Sequence, residues 1–526
     1  MVQTKLWRNW SPRTVLFAIN VFAAVAIFFE GYDQGVMGGV NGSPDYQKVV
    51  NIGSGDGIVT QPTKQGGLVA VYYLGALFGC FLGGWLSDKL GRIKIVFVGA
   101  CYCLIGGALQ AGSINDKMFI CARVITGVGT GHLNAIVPVW SAEVAQSHSR
   151  GAFICLVFLA NYVGISIAYW LSFGLSFTSE SVGPSFRWRF CLAFQCLPAI
   201  ILACAIWLLP ESPRWLIKAG RNEEALEVLQ ALRGDNSANA EAVQQEYNEI
   251  IDVVEAERSL AEKGNFLSLF FGTASGKLHL PLRANLAFWL QVMMEWNGIT
   301  AITVFSPTIY AQAGYGTTKA GWLSALTNTT GIFGTLIASQ TIDRFGRRNL
   351  MFVGAAGIAV TLFLAGGFDR LLVNRPSQAS EYGAVSVLWI FLFTLIYSST
   401  WLMVPFVYPT EIFPVAHRAF GNGFGVAGWA IGCGSSILAN PVMFSRIQEK
   451  IFYVYGALNI AWIPLVYLFW PETAKRSLES IDWLFESSVP FTWKQEAHYK
   501  HAKAEFDRLH DHNHADKQSG MPSEVE

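Results

Sequence analysis

Gly84-Trp85-Leu86-Ser87-Asp88-Lys89-Leu90-Gly91-Arg92 closes one long apolar run, and Asp343-Arg344-Phe345-Gly346-Arg347-Arg348 closes another in the second half of the chain. In both, an acid, a glycine turn and an arginine follow an apolar stretch. A second echo joins Glu143 and Arg150 to Glu411 and Arg418, each pair seven residues apart. A third joins Pro210-Glu211-Ser212-Pro213-Arg214-Trp215 to Pro471-Glu472-Thr473. One charged loop is only a topology signal. Three echoes at matching places predict two parallel halves related by an axis along a membrane normal.

The apolar pattern between the echoes supplies the halves. Runs of about 20 residues, the length that crosses a bilayer as a helix, recur near 14–37, 66–86, 95–114, 118–140, 152–175 and 190–209. A charge-rich interval from Glu211 to about Lys277 follows, then runs near 282–310, 319–341, 349–367, 385–408, 421–441 and 452–470. The prediction is an all-α membrane protein with twelve spans in two sets of six. Its expected divisions are an N-terminal segment 1–13, a first half 14–210, a helical linker 211–280, a second half 281–471 and a tail 472–526. In the linker, Asn222 reads as a helix cap, and Leu226 and Leu229 share a face at i, i+3. The charged tail after Pro490 reads as disordered.

Composition agrees. Of 526 residues, 52% are hydrophobic and only 14% charged, against about 25% charged in soluble domains. Mean hydropathy is +0.36. Eighteen tryptophans suit membrane interfaces, and the formal net charge of zero suggests no nucleic-acid partner. The nine cysteines, Cys80, Cys101, Cys103, Cys121, Cys155, Cys191, Cys196, Cys204 and Cys433, show no metal-ligand spacing and read as packing residues. No metal, cofactor or enzymatic nucleophile–base pair is expected. Lys5, Arg8 and Arg13 precede the first run without a cleavage pattern after it, so that run is expected to stay. Lys and Arg concentrate in the loops holding Lys89 to Lys94, Arg150, Arg344 to Arg348, Arg418, and Lys475 with Arg476. That bias predicts a multi-pass protein with both termini cytoplasmic.

The first run ends in Phe28-Phe29-Glu30-Gly31-Tyr32-Asp33-Gln34-Gly35, which takes two acids to lipid depth. An ionised group there needs a partner or a watery cavity. Asp33, among glycines that let helices approach closely, is the stronger functional candidate, and Glu30 is secondary. Asn41-Gly42-Ser43 forms a glycosylation sequon on the predicted outer side, weakened by Pro44.

With these motifs in order, the sequence resembles a sugar porter of the major facilitator superfamily, of the fungal sugar/proton symporter type. The resemblance runs to about Phe485. It rests on Gly31-Tyr32-Asp33, Gly84 to Arg92, Arg123 with Gly127, Gly129 and Gly131, Pro138 with Glu143, Pro210 to Leu216, Asp343 to Arg348, Glu411-Ile412-Phe413-Pro414 and Pro471-Glu472-Thr473. It implies alternating access, with proton coupling at Asp33 and Arg123. It also implies a cytoplasmic gating network of Asp88, Arg92, Glu143, Arg150, Glu211, Arg214, Asp343, Arg347, Arg348, Glu411, Arg418 and Glu472. An acid that meets Arg123 in one arrangement and apolar surroundings in another can release and take up a proton. A static ion pair is the alternative.

A sugar site needs hydrogen-bonding amides or acids and aromatic faces. The expected substrate-binding residues are Phe158, Asn161, Gln291, Glu295, Thr300, Asn328, Trp401, Phe406 and Trp429, with Asn297 weaker. Several depart from the sugar-porter pattern. Phe158 stands at a fifth-span glutamine position, and Gly331 stands at an eighth-span asparagine position. Met294-Glu295 replaces Gln-Gln, Leu402-Met403 replaces Gly-Pro, and Gly428 precedes Trp429 in place of asparagine. An ionised Glu295 favours a neutral sugar or polyol over a sugar acid. The reading is import of a monosaccharide or related polyol with a proton, by a monomer, at the plasma membrane. A proton-independent facilitator, a sugar-acid permease and a transporter-like nutrient sensor stay open.

Overall fold

The computed structural model describes residues 5–53, 59–144, 150–178, 183–234, 237–261, 279–413, 418–474, 476, 478–486 and 489–519. These residues are helical almost throughout, with one isolated antiparallel bridge between Gly53 and Val59. The first span, Pro12–Val40, starts where Ser11 Oγ accepts from Thr14 N and Pro12 presets the first turn. The next four are Pro62–Leu90, Arg92–Ala111, Asp116–Val144 and Arg150–Leu175. The sixth is Pro184–Phe194 continued by Cys196–Ala205.

In the second half the spans are Leu280–Glu295 with Ile299–Gln312, Thr317–Phe345, Arg347–Asn374, Ala379–Thr400 with Val404–Ile412, Arg418–Arg446 and Ile451–Phe469. The expected twelve are present. Nine stretches among the described residues are long and apolar enough to cross a membrane, and one of them, Gly421–Phe469, contains the last two spans. The seventh and eighth fall short for visible reasons. The seventh is broken at Trp296-Asn297-Gly298, and the eighth carries Asn328, Thr329, Thr330, Thr335 and Thr341.

The halves are built alike. In the first, span one packs on five, two on four, three on four and three on six; in the second, seven packs on eleven, eight on ten, nine on ten and nine on twelve. The halves meet where span two lies against eleven, five against eight and one against seven. Large apolar side chains such as Phe17, Phe78, Phe333 and Val353 stay exposed on the outer surface, as lipid-facing positions do. Close approach inside a half depends on missing side chains: a Cβ on Gly127 would lie 2.0 Å from Tyr72 O, backbone that cannot yield.

Four expectations change. In the linker helix Asn222–Arg233 the N-cap position falls on Arg221, not Asn222, with no side-chain cap bond, and the helix buries Ala225, Val228, Leu229 and Leu232 while Leu226 is partly exposed. The tail is not disordered where described, because Thr492–Ser519 is a helix. Thr492 Oγ1 donates to Tyr467 O and Leu468 O at 2.7 and 2.6 Å, which anchors the tail to the twelfth span, and Arg476, just past that span, pairs with Glu496 at 2.7 Å. Cys80, Cys103, Cys191 and Cys433 are buried and Cys101 and Cys196 partly so, as packing requires, whereas Cys121 and Cys204 are exposed and the Cys155 side chain lies outside the described residues. Asn41 is buried at the end of the first span, an unsuitable place for a glycan.

Candidate functional site

A cavity of about 40 Å³ lies where the halves meet. At roughly 10–15 Å³ per enclosed water, it is too small for a hexose until the halves part. Of the nine expected substrate residues, Phe158, Asn161, Glu295, Thr300, Phe406 and Trp429 line it. Two aromatic contacts cross between halves at its wall. Phe158 meets Phe406 with ring centroids 4.3 Å apart, and Tyr73 meets Trp429 edge-on at 5.4 Å. The fifth span runs away from the Arg92 face, so Tyr169 lies on the other side of the cavity from Phe158. There Tyr169 Oη donates to Thr303 O at 2.6 Å and accepts from Ser306 Oγ at 3.2 Å. Rings narrow the cavity on one side and hydroxyls on the other.

Three expected residues turn elsewhere. Gln291 Nε2 donates to Pro405 O at 3.0 Å, tying the seventh span to the broken tenth. Asn328 Nδ2 bonds Ser324 O of its own helix at 2.9 Å, and Trp401 Nε1 bonds Met351 O of the ninth span at 3.2 Å. Asn297, the weaker candidate, is buried beside the break in the seventh span, where its backbone carbonyl accepts from Asn459 Nδ2 at 3.1 Å. Thr300 reaches the cavity from a polar cluster: its Oγ1 lies 2.5 Å from Ser436 Oγ and accepts from Asn440 Nδ2 at 3.2 Å.

Sequence reasoning underrated Glu30 and missed Tyr162. Glu30 lines the cavity, with Gln34 Nε2 donating to it at 3.4 Å and the Asn134 amide close by. Tyr162 occupies the space that Gly331 leaves: a Cβ on Gly331 would sit 2.1 Å from the Tyr162 ring. The departure at Gly331 was the signal. The amide expected there is replaced by a ring from the opposite half.

Asp33, one helical turn beyond Glu30, does not line the cavity. Arg123 Nη1 donates to both of its oxygens at 3.0 Å, and the Arg123 guanidinium stands 4.5 Å over the Tyr72 ring. Asp33 and Arg123 are 0% and 1% exposed, so losing either partner strands a buried charge.

The echoed motifs build two matching networks on one face. Gly91 and Gly346 take φ of +101° and +89°, left-handed turns that L side chains resist, and each joins two spans. Arg92 reaches Glu143 through Nε at 3.2 Å and Nη2 at 3.1 Å, and Asp88 through Nη1 at 3.0 Å. Arg347 reaches Glu411 at 2.6 Å and Asp343 at 2.8 Å. Glu211 accepts from Arg92 N and Ile93 N at 3.0 and 3.2 Å; Glu472 accepts from Arg347 N and Arg348 N at 2.9 and 3.0 Å. Each acid thus caps the next span's positive end. Burial pushes the Glu211 carboxyl up from the usual range, against the pull of these amides and Arg92. Burial lowers Arg214, which sits within the field of Glu143, Arg92 and Asp88. The Arg348 guanidinium leaves the network for Tyr467 O at 2.7 Å. The side chains of Arg150 and Arg418 fall outside the described residues.

The profile described as "Sugar (and other) transporter" matches residues 19–485. The chain belongs to the sugar transporter family. Within that family it is 30% identical to Sugar transporter STL1 of Saccharomyces cerevisiae, over 92% of this chain and 83% of the relative. It is 28% identical to Quinate permease of Neurospora terricola, over 91% and 89%. Its fold matches the proton:xylose symporter XylE bound to 6-bromo-6-deoxy-D-glucose, with TM-score 0.74 and 23% identity over 90% of this chain and 99% of the other. Like other members of the family, this sugar transporter relative is a multi-pass membrane protein of the major facilitator fold.

Proposed function

We propose that the protein imports a monosaccharide or related polyol by alternating access, with proton symport through Asp33 and Arg123. The observation that carries this reading is the narrowed cavity between two like-built halves, with a fully buried acid–arginine pair one turn from its wall. Substrate enters when the halves part on one face. The Tyr169–Thr303 contacts and the Phe158–Phe406 contact then close in alternation, and the arginine networks hold each half rigid as it rocks. All the network bonds described stay within one half, so they brace the halves and the cavity contacts gate them. The Arg-rich face is cytoplasmic in this reading, with both termini on it, the membrane is the plasma membrane, and the monomer is the working unit.

The substrate class is supported by the relative named a sugar transporter, and the shared fold of the proton:xylose symporter, which is similar in fold alone, is compatible with it. The quinate permease relative raises a polyhydroxy acid, the class that includes sugar acids, as a second reading. Two acids, Glu30 and Glu295, line the cavity with no cationic side chain beside them, so a carboxylate would find no positive partner there and repulsion wherever either acid is ionised. The test is uptake into proteoliposomes with a pH electrode outside. Symport predicts alkalinisation of the medium with substrate entry and accumulation lost on adding an uncoupler. Entry without proton movement would leave a facilitator.

A further inference from the structure

Glu30 and Glu295 come from opposite halves, line the same cavity, and are 4% and 5% exposed. Among the described residues no Lys, Arg or His lines that cavity. The guanidinium of Arg123 is committed to Asp33. The partners of the two cavity acids are neutral: Gln34 and Asn134 for Glu30, and Cys433 for Glu295. The Tyr162 hydroxyl, 1% exposed, lines the cavity with no hydrogen-bond partner, and Glu295 is near enough to act on it electrostatically. The wall is also aromatic, through Tyr73, Phe158, Tyr162, Tyr397, Phe406 and Trp429.

Two carboxyls in a dry cavity with neutral partners avoid bare charge by keeping their protons, and a cation entering between them is what pairs their ionised forms. Aromatic faces attract the same charge, most strongly where water is excluded. An idle tyrosine hydroxyl and Thr300 offer bonds to neutral hydroxyls. We propose that the cavity selects a polyhydroxylated substrate bearing a protonated amine, an amino sugar or amino polyol, held between Glu30 and Glu295. The amine bridges the two halves, the hydroxyls meet Thr300 and Tyr162, and the apolar ring face meets the aromatic wall. Substrate then supplies the charge that pairs the two acids across the halves. This inference rests on the reading of the protein as a sugar or polyol importer.

The test compares uptake of radiolabelled glucosamine, glucose, sorbitol, N-acetylglucosamine and glucuronate by the purified full chain in proteoliposomes at neutral pH. The expected result is glucosamine carried at least tenfold faster than glucose or sorbitol at low concentration, with N-acetylglucosamine and glucuronate slower still. Glu30→Gln and Glu295→Gln should each bring the glucosamine-to-glucose ratio toward one, read as a ratio so that a loss of folded protein does not mimic the effect. Glucose or sorbitol carried as well as glucosamine, glucuronate carried best, or a ratio unchanged in both variants would overturn the proposal. If none of the five compounds enters, the importer reading fails instead.

Discussion

At the residue scale, the division of labour among the acids follows from who stands beside each one. Asp33 has a guanidinium on both oxygens, whereas Glu30 and Glu295 have only neutral partners and a shared cavity. Replacing Arg123 with Ala leaves Asp33 buried alone. The expected loss is about 3–5 kcal/mol, read as a lower unfolding temperature in detergent, and Asp33→Asn in the same chain should recover much of it. Asp33→Asn alone should abolish uphill accumulation while substrate exchange across the membrane continues, measured by counterflow. An accumulation ratio equal to wild type would remove Asp33 from the coupling step. At the edge of the bundle, Glu211→Ala and Glu472→Ala should each cost about 1 kcal/mol through lost caps. The equality of the two losses tests the repeat, since both acids cap the start of a span across a left-handed glycine.

At the element scale, breaks in helices shape the cavity. The seventh span stops at Glu295 and resumes at Ile299 after Gly298, which has φ +103°. The tenth stops at Thr400 and resumes at Val404. Just past the second break, Pro405 O lacks its helical donor because Pro409, four residues on, has no N–H, and Gln291 Nε2 donates to it instead. The fifth and eighth spans meet through Tyr162 lying on Gly331. Gly331→Asn therefore restores a sugar-porter amide but drives its Cβ into the ring. The expected result is a destabilisation of about 1–3 kcal/mol with uptake lost. Adding Tyr162→Ala to that variant should relieve the strain, seen as a positive coupling in a double-mutant thermal cycle. Simple additivity would mean that the ring and the glycine are not packed together.

At the scale of the whole molecule, the cavity is narrowed on both sides at once, by Phe158 with Phe406 and by Tyr169 with Thr303. Cys433 lines the space between and reports on access. Tyr169→Phe removes a hydroxyl bond worth about 1 kcal/mol from one side only. Labelling of Cys433 by a membrane-impermeant maleimide, located by peptide mass mapping, should quicken from the face opposite the Arg-rich networks. Phe406→Ala should quicken it from the Arg-rich face. Equal labelling from both faces in both variants would mean that these contacts are not gates.

Much of the design was legible in the amino-acid sequence because it depends on length and order. Runs near 20 residues imposed the spans, and the repeated acid–glycine–arginine segments imposed two like halves. Asp33 and Arg123 stood out because charge at lipid depth requires a partner. Which side of each helix faces the cavity was not legible. In a membrane span the lipid side and the packed side are both apolar, so the periodicity that orients a helix in water is absent. That is why Gln291, Asn328 and Trp401, all plausible by type, serve packing contacts, while Glu30 and Tyr162 reach the cavity. The tail helix escaped for a related reason. Its charged composition reads as solvated, but Thr492 and Glu496 find partners near the end of the twelfth span that no local pattern announces. Sequence alone determined the number of spans, their pairing into halves and the acids that need partners. Only the tertiary structure decided which acids share a cavity and which is neutralised, because that depends on contacts between helices far apart in the chain.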